Sequence, residues 1–219
     1  MMKKLILSLT ICLAVFAVTE AKSADFDIAG RHGLGVGFGY ITPKDSTVDT
    51  GVLPVVNYTY GISSNYSLEL SLGKTNLDVK EEGYKLGKIT SIPLQLTAQY
   101  RIPAENQSLY FGAGVGYYIN KFNIGGDLGE DIAWLKSIDP NVDMELDLDN
   151  SFGYHINIGT DIFLSKNLAI NFDARYLWSK ADGTLTFTDP NGTFGGSSKE
   201  KERVDLDSFI IAAGVKYFF

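Results

Sequence analysis

The sequence predicts an all-β protein, an eight-stranded antiparallel up-and-down transmembrane β-barrel. Three observations carry this. From Arg31 onward apolar residues recur at every second position, the period of a strand rather than a helix. The intervening positions hold Gly, Ser, Asn, Gln and charges in nearly every run. Aromatic residues gather near the ends of the apolar rows, where a barrel wall meets two headgroup layers.

The elements follow in order. Leu34, Val36, Phe38 and Tyr40 form the first apolar row, opposite Gly33, Gly35, Gly37 and Gly39. Val56, Tyr58, Tyr60 and Ile62 form the second, and Ser63-Ser64-Asn65 turns the chain into Tyr66, Leu68, Leu70 and Leu72. Ile92 to Tyr100 makes the fourth strand, and Pro103 to Ser108 makes a second short turn. Leu109 to Ile119 is the fifth, Phe152 to Ile162 the sixth, and Leu168 to Trp178 the seventh, entered through the turn Ser165-Lys166-Asn167. Phe209 to Phe219 closes the set. Each run is about 9 to 12 residues, the length a tilted strand needs to cross hydrocarbon. Connections after Tyr40, Asn76, Phe122 and Lys180 run from about 10 to about 27 residues, as extracellular loops do opposite short periplasmic turns. A soluble barrel is the competing architecture; its apolar rows would converge on a dry centre.

Net charge is −7, from 19 Lys+Arg against 26 Asp+Glu. With a pI near 4.8 and no basic run, the chain lacks the footprint that nucleic acid requires. The opening residues read as a cleaved secretory signal. Lys3 and Lys4 precede an apolar run from Leu5 to Val18, with a small-residue site at Thr19-Glu20-Ala21. Residues 1–21 are thus assigned to the leader and 22–219 to a single barrel domain. Removing two Lys and one Glu from −7 leaves −8, and the one cysteine, Cys12, goes with them.

Several stretches are similar to the OmpW family: Ile92-Pro93-Leu94-Gln95-Leu96-Thr97-Ala98-Gln99-Tyr100, Tyr110-Phe111-Gly112-Ala113-Gly114-Val115-Gly116-Tyr117, Gly159-Thr160-Asp161 with Leu168 to Trp178, and Val204-Asp205-Leu206-Asp207. The ending Val215-Lys216-Tyr217-Phe218-Phe219 resembles the C-terminal signal of outer-membrane barrels. The resemblance implies a hydrophobic-lined channel in the cell outer membrane that passes small hydrophobic molecules, alkanes in some relatives. Other relatives serve as bacteriocin or phage receptors. The competing function is a non-conducting surface anchor or adhesion platform. The expected partners are outer-membrane lipids, lipopolysaccharide and small apolar solutes, with the chain acting as a monomer.

An eight-stranded barrel is barely wide enough for its own side chains, so conduction needs small lumenal residues. Gly35 and Gly37 on the first strand and Gly112, Gly114 and Gly116 on the fifth share the lumenal parity. These rows either leave a cavity or serve curvature, letting lumenal Tyr110 and Tyr118 lie over the backbone. His155 is a lumenal lining residue. Glu69, Arg101, Asp161, Asp173, Arg175 and Lys216 converge at the periplasmic end as an ion-pair plug, either purely structural or diverting an apolar solute sideways. Pro54 and Pro93 each remove a ladder donor beside the third strand, marking either a lateral opening or a wall already above the membrane.

Ile132, Leu135 and Ile138 have near-helical spacing, suited to a lid or to packing on the rim. Asp143, Glu145, Asp147 and Asp149 alternate in phase with the sixth strand and read as its solvated outward extension. Neither His32 nor His155 has a Ser or carboxylate at catalytic spacing, and no metal or cofactor motif occurs, so the expectation is a protein that is not an enzyme.

Overall fold

The computed structural model describes residues 27–219; the leader assignment lies outside the described residues. The strands are β1 (His32–Pro43), β2 (Gly51–Gly61), β3 (Tyr66–Gly73), β4 (Thr75–Glu81), β5 (Tyr84–Pro103), β6 (Gln107–Ile124), β7 (Asp143–Leu148), β8 (Ser151–Phe163), β9 (Leu168–Thr188), β10 (Ser198–Asp205) and β11 (Ser208–Phe218). A helix, α1 (Asp127–Ile138), follows β6. Eight of the strands close a ring in the order β1-β2-β3-β5-β6-β8-β9-β11, with β11 returning to β1 and every pairing antiparallel.

Side-chain period two then divides the wall into two faces. Val36, Phe38 and Phe152 are 63%, 69% and 78% exposed, whereas Thr59, Arg101 and Asp161 on the opposite parity are fully buried. Leu70 and Phe172 also point outward and are exposed. A dry centre built from the apolar rows is therefore excluded, and with it the soluble architecture.

The wall rises above the membrane further than the sequence suggests. Residues expected as loops after Asn76 and Lys180 are largely strand: β4 pairs with the upper half of β5, and β10 pairs with the upper half of β9. Glu82 and Gly83 turn the first hairpin with φ of 49° and 90°, the positive pair that a two-residue primed turn requires. The acidic run Asp143 to Asp149 is not a continuous extension of β8. It forms the separate strand β7 on β9, because Asn120 interrupts the ladder by donating to the Asp149 carbonyl at 3.2 Å while its own amide donates to Asn150 Oδ1.

Helix α1 packs on the rim through buried Ile132. Tyr84 donates to Asp131 there, and that bond pushes its phenol up to about 12. A carboxylate clasp joins the loop after α1 to the β9–β10 hairpin. Asp139 Oδ2 accepts from Asn191 and Thr193 at 2.8 and 3.0 Å, and Asp189 accepts the backbone amides of Thr193, Phe194 and Gly196. The amide of Asn141 leads the bonds that hold Asp139 below its ordinary value. Burial works against the Asp189 charge, but its three amides outweigh it and also lower that carboxyl. With native values depressed, the clasp stabilises fully above the ordinary carboxyl range near pH 4 and is lost only as pH falls through the lowered values. Asp189→Asn is expected to speed cleavage of the 189–197 loop by added protease at pH 7 several-fold; unchanged cleavage would contradict the clasp.

Candidate functional site

The barrel interior is layered. At the periplasmic end Ile28, Phe163, Ala169 and Phe218 form a small apolar bung. Above it all six predicted ionic residues meet in one buried network of three acids and three bases. Arg101 Nη1 donates to Asp161 at 2.7 Å, Lys216 Nζ to Glu69 at 2.8 Å, and Arg175 lies 3.4 Å from both Glu69 and Asp173. Tyr110 sits among them, its ring 5.0 Å from the Arg101 guanidinium and 5.4 Å from Lys216 Nζ, with its hydroxyl donating to Asp173. Formal neutrality and near-complete pairing make this layer tolerable in a low dielectric.

The predicted glycine rows run from the ionic layer, where Gly35 pairs with Lys216, to mid-height and above, and neighbouring atoms fill the space over them. Asn157 Oδ1 lies over Gly112, His155 over Gly114, and the Tyr118 hydroxyl over Gly116. Asn57 and Lys216 cover Gly35, while Gly37 meets the backbone of Ala213 and Gly214. Tyr118 thus lies over the backbone at Gly116, as Tyr110 does at Gly159. At Gly114 a Cβ would stand 2.1 Å from the Leu96 carbonyl oxygen, so Gly114→Leu is a test of folding rather than of conduction. His155 Nε2 bonds Thr97 Oγ1 at 2.8 Å, which holds the ring over Gly114 between β8 and β5.

The extracellular third is different in kind. A narrow apolar cavity of about 40 Å³ is lined by Ile41, Val48, Leu53, Leu77, Ile89 and Ile210, with Gln95 and Tyr118 among its few polar neighbours. Gln95 Nε2 donates to the Tyr118 hydroxyl at 2.8 Å, forming the polar floor. Sequence reasoning missed this layer, though a signal was present. Tyr40-Ile41, Val52-Leu53-Pro54-Val55-Val56 and Phe209-Ile210-Ile211 are apolar on both parities, which marks a wall that is greasy inside as well as out.

The wall beside this cavity is discontinuous. The β2–β3 ladder stops at Val55–Gly73, the β3–β5 ladder at Leu72–Leu94, and β4 resumes on β5 only at Thr75–Ser91. Gly73 and Lys74 thus occupy a break, with Pro54 on one side and Pro93 on the other. No ladder joins Gly51–Leu53 to β4 among the described residues. The edges touch through Lys74 N to the Pro54 carbonyl at 3.3 Å and Thr75 Oγ1 to the Val52 carbonyl at 3.0 Å, and higher up the Val48–Val79 bridge is flanked by Asp49 N to the Asp78 carbonyl and Lys80 N to the Thr47 carbonyl, both at 2.8 Å, and by the Lys80–Asp49 ion pair at 2.6 Å. The Pro54 carbonyl faces β4, so the donor that proline lacks is missing from this same side. Leu53 and Leu77 fill the seam: a Cβ on Gly73 would meet Leu53, and one on Gly51 would meet Leu77 at 2.5 Å.

Residues 8–219 match the family described as outer membrane protein beta-barrel domain. The chain belongs to that family. Among curated members, the uncharacterized outer-membrane protein y4mB of Sinorhizobium fredii is 26% identical over 182 residues, 80% of this chain and 69% of y4mB. The dibenzothiophene metabolism operon protein PahQ of Pseudomonas aeruginosa is 28% identical over 134 residues, 61% of this chain and 53% of PahQ, so the match spans about half of that relative. Among solved barrels, Pseudomonas aeruginosa OprG superposes with a TM-score of 0.70 at 23% identity, covering 90% of this chain and 99% of OprG. AlkL in lipid bilayers gives 0.57 at 19% identity, covering 92% and 95%. The family match, with y4mB an outer-membrane protein, places this member of the outer-membrane barrel family in the cell outer membrane.

Proposed function

We propose that this barrel admits small apolar molecules from outside the cell into the extracellular cavity and releases them sideways, through the seam between β2 and β4, into the bilayer. The observation that carries this reading is the coincidence in height of an apolar cavity, a polar floor and an interrupted wall ladder. Straight passage is disfavoured by the layers below. An apolar solute there would displace nothing apolar and would strand polar groups such as Gln99 Nε2, His155 Nδ1 and Asn157 Oδ1, which already lack protein partners. Sideways release exchanges one apolar surrounding for another, at little free-energy change. The narrow cavity widens to take the solute as Leu53 and Leu77 part and the hydrogen bonds between β2 and β4 give way. That PahQ is a dibenzothiophene metabolism operon protein supports an apolar cargo class.

Uptake of a hydrophobic fluorescent dye by barrel-deficient cells tests the proposal. Restoring this chain is expected to raise the initial rate, and Gly51→Phe, which wedges a ring against Leu77 in the seam, is expected to return it to the deficient level. Equal uptake in all three strains, with equal amounts of folded barrel, would remove the transport reading.

A further inference from the structure

The outer wall carries a concavity that the transport route does not use. It is an open trough on the lipid face of β11-β1-β2-β3-β5, with a volume of about 530 Å³, lined by Leu34, Val36, Val56, Leu70, Leu72 and Val215. Convex barrels normally present bulky residues to lipid. Here valines at 36, 56 and 215 leave a hollow between Phe38 above and Tyr58 and Tyr217 below, all of them outward-facing.

The lower end of the trough is built. His32 shares the outward parity of Leu34 and lies among aromatic rings, with centroids of Tyr60, Tyr58 and Phe219 at 5.1, 5.9 and 5.9 Å. Its Nδ1 is fixed by the Tyr58 hydroxyl at 2.5 Å, which orients the other ring nitrogen away from Tyr58. Cations sit at the same rim. Arg31 Nη1 donates to the Lys166 carbonyl at 2.7 Å and Nη2 to the Phe218 carbonyl at 2.9 Å, and the Lys166 side chain is exposed. Asp27, an acid at the same end of the barrel, is engaged by Ser64 Oγ and the Ala29 amide.

Depth identifies the leaflet. From Val56, opposite Leu72, down to Tyr60, opposite His32, is four residues, roughly 14 Å along the strand at 3.4 Å per residue and about 10 Å along the membrane normal at a tilt of about 40°. Half of a hydrocarbon core about 30 Å thick is about 15 Å. The hollow therefore lies within the periplasmic leaflet, and its polar end lies at that leaflet's headgroup level, where the short turns are.

We propose that this trough holds one phospholipid of the periplasmic leaflet, an acyl chain lying along Val36 and Val56 and its anionic phosphate at His32, Tyr60 and the Arg31–Lys166 rim. Aromatic hydroxyls and an imidazole offer donors to the phosphate, and the nearby cations add charge. A second barrel copy is the competing occupant, and the test separates the two.

The experiment is native mass spectrometry of the full barrel, folded in detergent and presented with phosphatidylglycerol, or with diacylglycerol of the same chains. The wild type is expected to retain one phosphatidylglycerol per monomer, about ten-fold more than it retains diacylglycerol. Val56→Trp, which fills the hollow, should lose that retention about ten-fold, as should the double variant His32→Ala/Lys166→Gln, while Val115→Trp on the lipid face of β6 should not. Heat-dependent gel mobility confirms folding of each variant. Equal retention by all variants, no preference over diacylglycerol, or a lipid-free dimer broken by Val56→Trp would each overturn the assignment. Dye uptake is unaffected by this outcome, so failure here leaves the transport proposal standing, and the reverse also holds.

Discussion

Arg101→Met is expected to lower the folding stability of the barrel in lipid vesicles by about 3–5 kcal/mol, read from the urea midpoint of folded and unfolded gel bands. The side chain has no solvent exposure, and its guanidinium donates to Asp161 at 2.7 Å, Ser67 at 2.8 Å and Gln99 at 2.9 Å. Methionine matches the length but leaves Asp161 facing only Asn171 and, at 3.5 Å, Lys216. The cost is that of a carboxylate stripped of its main partner rather than of a lost attraction. The double variant Arg101→Met/Asp161→Leu removes the orphan as well and is expected to regain part of the stability. A single variant as stable as the wild type would show that the network is not what holds the lower wall together.

The wall, its handed faces and its strand count were legible because period two is enforced wherever one side meets lipid and the other a packed lumen. Leu34 to Tyr40 and Leu168 to Trp178 show this without ambiguity. The six ionic residues were legible for the same reason: a charge on the lumenal parity has nowhere to go but toward another charge. The hairpins above the membrane were not, because water on both faces removes the alternation; Lys199 to Arg203 in β10 is charged throughout and exposed. The cavity escaped for the opposite reason. Leu53, Leu77 and Ile210 break alternation by being apolar where the lower wall is polar, and a rule that looks for polar lumens passes over them. Pro54 and Pro93 were placed correctly beside the third strand, but that the break between them falls at Gly73–Lys74 depends on where β5 exchanges β3 for β4, a tertiary choice invisible to local pattern. The helix was signalled by Ile132, Leu135 and Ile138, and whether it closed the mouth or lay on the rim was settled by contacts with β5 that have no sequence signature.

The lateral seam depends on Leu53 and Leu77 moving apart, and a reversible bridge between them isolates that motion. Cys12, the one native cysteine, lies in the segment read as a leader, so Leu53→Cys/Leu77→Cys introduces the pair into an otherwise thiol-free barrel. A short bifunctional methanethiosulfonate reagent ties the two sides, mass spectrometry gives the bridged fraction, and a reductant releases it. The single-cysteine variants treated alike control for added bulk. Bridging is expected to slow dye uptake at least about ten-fold, a barrier increase of about 1.4 kcal/mol, with recovery on reduction and no comparable loss in either single variant. Uptake unchanged in a fully bridged barrel would contradict passage between β2 and β4.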